Sequence, residues 1–123
     1  MTPADVLAAA RDLLERHAPA RAGGWQRAVA LLTRQALEQG IEEFWATDPA
    51  TAGLREATMK TQLTCLPEYL RPRLAREISY VWAALSSACH YHPYDLAPTG
   101  AELAGWIDTV AALLAAIKSD DGQ

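Results

Sequence analysis

The sequence predicts an all-α fold, a bundle of four to five helices. Three observations carry this expectation. Alanine and leucine supply 25 and 16 of the 123 residues, while valine and isoleucine together supply 8 and phenylalanine one. Sheets favour β-branched and aromatic residues, so this balance opposes a β-rich fold and suits helices. Apolar residues recur at spacings of three and four through most of the chain. Proline, glycine and Thr-x-x-acid signals then divide that pattern into segments.

The first segment runs from about Pro3 to His17. Thr2 stands as N-cap, Pro3 at the first helical position and Asp5 at the third. Val6, Leu7, Ala10, Leu13 and Leu14 share a face, and Pro19 with Gly23-Gly24 ends the segment. The second runs from Trp25 to about Ala46 and stops at Asp48-Pro49. Gly40 costs about 1 kcal/mol there relative to alanine, so it marks a close approach by a neighbour. The third covers about Thr51 to Leu66 and is closed by Pro67, with a short stretch at Glu68–Leu70. The fourth runs from Pro72 to about Tyr91, with Leu74, Ile78, Val81, Leu85 and Ala88 or Cys89 spaced as a bundle seam. Pro93 biases His92 away from helix, so the fourth is expected to end at Tyr91 or His92. The fifth opens on Thr99-Gly-Ala-Glu102, a capping box, and carries Leu103, Trp106, Ile107, Val110, Leu113, Leu114 and Ile117 on one face. The acidic tail, from about 119 to 123, is expected to fray. Length and connectivity predict a single domain over 1–123.

Composition narrows the function classes. The net charge is −4 and the isoelectric point about 5.3. A broad basic footprint for duplex DNA is absent from such a chain, although a local RNA or nucleotide site is compatible with it. No apolar run approaches the roughly 20 residues that span a bilayer, so no membrane segment is expected. The first residues mix acids among apolar positions and lack a basic leader, which argues against a secretion signal. Two cysteines, Cys65 and Cys89, make no disulfide framework. A cytoplasmic protein is the expectation.

Most polar residues read as a solvated surface. The exception is Ser87-Ala-Cys-His-Tyr-His-Pro-Tyr94-Asp95, which puts two of the three histidines, a cysteine and two tyrosines within nine residues. A zinc site there would have to recruit Cys65, His17 or Asp95 from a distance, and no CxxC or HExxH spacing supports one, so neither metal nor cofactor is expected. A histidine at a helix C-terminus faces the negative end of the dipole, which favours imidazolium and suits proton donation to a leaving alkoxide. The plainer reading is that the cluster fills the top of the bundle. Trp25, Trp45, Trp82 and Trp106 fit core and interface better than a base-stacking platform. Cys65 reads as an inert thiol, whereas Cys89, beside two histidines, is a candidate for reactivity.

The frame Ser87-x4-His92-Pro93-Tyr94, placed just before the last helix, resembles the HEPN superfamily of helical bundles. The likeness spans most of the chain at the level of helical pattern, from the helix at Ala28–Phe44 onward. HEPN ribonucleases carry Arg-x4-6-His near the end of a late helix, and toxins paired with a nucleotidyltransferase antitoxin extend this to Arg-x4-His-x-Tyr. His92 and Tyr94 match, and Ser87 stands where the family has arginine. The resemblance implies a homodimer with a composite site and metal-independent RNA cleavage, in a toxin or phage-defence setting. It makes His92 the proton-handling residue, with His90 and Ser87 beside it as candidate catalytic residues. Tyr94, Tyr91 and Cys89 are candidate binding residues, and Tyr94 is the position at which such toxins are adenylylated. The serine implies either an inactive domain, acting as a non-catalytic interaction or nucleotide-binding module, or a cation supplied from elsewhere. Arg71, Arg73 and Arg76 lie at the far end of the fourth helix and read as surface residues paired with Glu77 and Glu68. Arg11-x5-His17 also fits the loose spacing, but in the first helix.

Overall fold

The computed structural model describes residues 1–18, 24–90 and 96–121, with side chains to Lys118. Its helices are α1 (Pro3–His17), α2 (Trp25–Ala46), α3 (Met59–Cys65), α4 (Pro72–Cys89) and α5 (Gly100–Asp121), and no strand occurs among the described residues. The all-α class is therefore as the sequence predicts. α1 and α2 also begin and end where caps and breakers place them.

At α1, Thr2 Oγ1 accepts from the Asp5 amide at 3.1 Å and Asp5 Oδ2 accepts from the Thr2 amide at 3.1 Å, a reciprocal capping box. The same device starts α5. There Thr99 and Glu102 exchange two backbone-to-side-chain bonds of 3.0 Å. Each pair satisfies two of the four amides that a helix N-terminus leaves without partners.

α2 is the common wall of the bundle and packs against α1, α4 and α5. Trp45 and Tyr69 meet where α2 ends and α4 is about to begin, at 5.3 Å between ring centroids. Arg34, nearer the start of α2, stands over Trp82 in the second half of α4. α2 and α4 are thus antiparallel. On the other side, Arg11 pairs with Asp108 at 3.1 Å, and Ala18 and Leu14 lie against Gly100, so α1 runs antiparallel to α5. The result is an up-down-up-down arrangement of α1, α2, α4 and α5, with α3 as a short connector.

The core follows the predicted stripes. Val29, Leu37 and Ile41 of α2, Ile78 and Leu85 of α4, and Leu103, Ile107, Val110 and Leu113 of α5 are fully buried. Each such side chain contributes about 1.5–3 kcal/mol by leaving water. Gly40 is a close approach: a Cβ there would sit 2.5 Å from Leu114 Cδ2 of α5. Absence of a side chain lets α5 lie against α2 at this point.

Three boundaries differ from the sequence reading. The expected third helix over Thr51–Leu66 is split into a 3-10 turn at Ala52–Glu56 and the seven-residue α3. Ala57 is extended (φ −76°, ψ 162°), and Thr58 then caps α3 by accepting from the Thr61 amide at 3.2 Å. Competing side-chain bonds decide this: Thr51 Oγ1 donates to the Trp45 and Asp48 carbonyls at 2.8 and 3.1 Å, holding the chain in a turn. Helix α4 stops at Cys89, not at Tyr91 or His92, because His90 is already extended at φ −92°, ψ 133°. Finally, α5 is helical to Asp121, into the tail expected to fray from about 119.

A fourth correction concerns apolarity. Among the described residues one helix, Gly100–Lys118 of α5, is long and apolar enough to cross a membrane by length and composition, contrary to the expectation that no run approaches that length. Its alanines raise the apolar content without forming a contiguous run of large side chains. Its Leu, Ile and Val stripe packs inside the bundle.

Gln62 is the one buried amide of the connector, 1% exposed. Its Oε1 accepts from Trp45 Nε1–H at 3.1 Å and its Nε2 donates to the Ala57 carbonyl at 2.8 Å. Replacing Gln62 with Leu should strand the Trp45 N–H and lower stability by about 1–3 kcal/mol, read as a lower urea midpoint at unchanged slope. The hydrogen bonds from Thr2 hold the Asp5 carboxyl below the ordinary carboxylate value, the backbone bond contributing most. A depressed folded pKa adds stability above the unfolded value, near about 4, and that stability is lost as pH falls through the folded value. An NMR titration should show the Asp5 pKa rising only part of the way to the ordinary value in Thr2→Ala, because the residue-2 backbone N–H that contributes most remains.

Candidate functional site

The candidate residues of the sequence divide at the end of α4. Ser87, Cys89 and His90 are described; Tyr91, His92, Tyr94 and Asp95 lie outside the described residues. Ser87 is exposed, His90 is exposed, and Cys89 is buried. The amide of His90 donates to the Ser87 carbonyl at 3.2 Å, so the last turn tightens to an i to i−3 closure. α4 ends at Cys89, and the expected relation of Ser87 and Cys89 to His92 falls outside the described residues.

A cation does stand beside this end of α4, and it comes from α2. Arg34 has its Cζ 5.8 Å from the centroid of the Trp82 ring, a cation–π contact. Its Nε donates to Glu38 Oε1 at 2.9 Å, one turn along α2. The Glu38 bond raises the Arg34 pKa above its ordinary value against the opposing effect of burial, and the Cys89 sulphur acts in the same direction from across the helix interface. Arg34 therefore meets α4 at Trp82. Sequence spacing did not single it out, since it lies 53 residues before Ser87 on a helix whose polar residues read as surface.

Polar atoms around Arg34 are unusually short of partners. Trp82 Nε1, Ser86 Oγ and Gln39 Oε1 are shielded from solvent and accept or donate no hydrogen bond. Leaving such a group unmade costs about 1–3 kcal/mol. Trp82 and Ser86 are i,i+4 on α4, on the side that meets α2. Along the outer side of α2, a shallow groove of about 440 Å³ is lined by Leu31, Arg34, Gln35, Glu38, Gln39 and Glu42.

The other arginines weighed from sequence are occupied or remote. Arg73 pairs with Glu77 at 3.4 Å on the surface, and Arg11 pairs with Asp108, which ties up one half of the Arg11-x5-His17 frame. Arg71 and Arg76 are exposed. Trp45 and Trp25 are buried, and Trp82 and Trp106 are half-buried against the core. Cys65 is half-buried and Cys89 buried, both as free thiols. Among the described residues no three His, Cys, Asp or Glu side chains come together as a metal would need. A second groove, also about 440 Å³, lies between α4 and α5. It is floored by Gly105 and edged by Tyr80, which is 70% exposed, and Trp106.

Searches against family models, curated proteins and solved structures return no match for the chain. The site is thus read from its own geometry. Ser86→Ala removes a buried hydroxyl that has no partner and puts a better helix former at the same position. The free protein should gain up to about 1 kcal/mol in urea denaturation, where an ordinary buried serine would lose stability.

Proposed function

We propose that the chain is a HEPN-like helical domain whose functional surface is the C-terminal end of α4, and that it acts there on RNA. The observation that carries this is the placement of Arg34. The motif arginine is missing at Ser87, and α2 brings a guanidinium against the second half of the same helix, at Trp82. Arg34 would then hold the charge that develops on the scissile phosphate. His92 would take the proton from the 2′-hydroxyl as its oxygen bonds to phosphorus. The bond from phosphorus to the 5′-oxygen breaks, and that oxygen leaves with a proton. The products are a 2′,3′-cyclic phosphate and a 5′-hydroxyl, with no metal required. A homodimer, an RNA substrate and a nucleotidyltransferase-type antitoxin acting at Tyr94 belong to the same proposal, as do a cytoplasmic setting and a role in toxin–antitoxin or phage-defence systems.

A second reading is favoured by Glu38. Its carboxylate already neutralises Arg34, and the protein as a whole is acidic. On this reading the domain binds a nucleotide or partner at the same surface without cleaving RNA.

Incubation with total RNA, with end-group analysis for 2′,3′-cyclic phosphate, separates the two. Cleavage should fall by about 100-fold or more in His92→Ala and in Arg34→Gln, since each loses a group acting in the transition state. Ser87→Arg should raise it by restoring the motif. Equal behaviour of wild type and His92→Ala would end the enzymatic reading and leave the binding one.

A further inference from the structure

Trp82, Ser86 and Cys89 follow one another along α4 at spacings of four and three, which puts them in a strip on one side of the helix. Arg34 stands over the first member of that strip, its Cζ 5.8 Å from the centroid of the Trp82 ring, and the Cys89 sulphur at the other end helps to hold its charge. Ser86 lies one turn beyond Trp82 on the same side of the helix. Within the strip, Trp82 Nε1 and Ser86 Oγ are buried and have no partner. An indole N–H can only donate, a guanidinium can only donate, and a serine hydroxyl can donate or accept. Trp82 Nε1 and the guanidinium thus offer donors on the α4 side, while the unpartnered acceptor nearby, Gln39 Oε1, belongs to α2. The carboxylate bonded to Arg34, Glu38 Oε1, lines the groove on α2 and is itself only half-buried.

We propose that Arg34, Trp82 and Ser86 form a phosphate-binding subsite, and that Glu38 is an internal anion that occupies Arg34 until a phosphate replaces it. A phosphate offers more oxygens than a carboxylate and spreads them tetrahedrally, so it can reach the indole N–H and the serine hydroxyl while keeping the guanidinium. Glu38 then works as a built-in competitor: it holds Arg34 in place in the free protein and sets a threshold that weak anions do not pass. This rests on the reading of the α4 end as the functional surface and names the group that it recognises. The same oxygens are presented by a diester inside an RNA chain and by a terminal or free phosphate.

The test is direct binding to the full chain, independent of RNA cleavage. The four tryptophans give four indole N–H signals in a ¹⁵N correlation spectrum, and Trp82→Phe identifies that of Trp82. Titration with inorganic phosphate against matched chloride should shift the Trp82 signal saturably, with a dissociation constant on the order of millimolar. Glu38→Gln should tighten binding several-fold, and Arg34→Gln should weaken it by about 10-fold or more while the other three indole signals stay in place. Dimethyl phosphate and a pair of oligonucleotides, with and without a 5′-phosphate, identify the source as a chain-internal or a terminal group. A Trp82 signal that ignores all of these probes overturns the subsite, even if RNA is cleaved. So does a shift of equal size in Arg34→Gln, or weaker binding in Glu38→Gln. A shift with no RNA cleavage keeps the subsite and removes only the enzymatic reading.

Discussion

The burial of α2 on three sides constrains everything else in this bundle. α2 packs against α1, α4 and α5, and its inward positions are aliphatic or small: Val29, Ala30, Ala36, Leu37, Gly40 and Ile41. Gly40 permits a close approach by α5, with Leu114 filling the space a side chain would take. Thr33, the polar residue within that surface, is satisfied internally by donating to the Val29 carbonyl at 2.7 Å. With α2 fixed in this way, its outer edge is fixed too. That edge carries Arg34 and Glu38, so the core packing of one face determines where a guanidinium meets α4.

A second anchor sets the other end. Trp45 is fully buried, stacks edge-on against Tyr69, lies 5.3 Å from Phe44 and donates to Gln62. This links the end of α2 to the connector and to the approach of α4. Aromatic area and one buried hydrogen bond together replace the longer helix that the connector does not form. The bundle is therefore held by aliphatic packing along its length and by a polar-aromatic knot where α2 hands over to α4.

The caps, stops and apolar stripes of α1, α2 and α5 were legible in the sequence because each rests on local chemistry: Thr2 with Asp5, Thr99 with Glu102, Asp48-Pro49. The interruption at Ala57 was not, because it depends on where Thr51 and Gln62 find partners, and those partners are set by tertiary contact. The end of α4 falls two or three residues earlier than expected for a related reason. Pro93 sets the latest point at which a helix can stop, while the extended backbone at His90 stops it sooner. The chemistry-bearing stretch Ser87–Asp95 stood out by composition. Arg34 did not, since an arginine four residues before a glutamate on a helix reads as an ordinary surface pair. Only the antiparallel pairing of α2 with α4 brings it to Trp82.

The seam between α1 and α5 has a consequence in time as well as in space. Arg11 and Asp108 are 97 residues apart in the chain, and Ala4, Leu7 and Ala8 line a common groove with Ala111 and Leu114. Neighbouring helices such as α1 and α2 meet after closing a short loop, whereas this seam can form only when nearly the whole chain has been gathered, and loop-closure entropy grows with that span. Its ion pair is exposed and contributes little. Cooperativity of the whole bundle thus depends on a long-range apolar closure that joins the first helix to the last, which makes a helical protein with mostly local hydrogen bonds answer to its most distant contact.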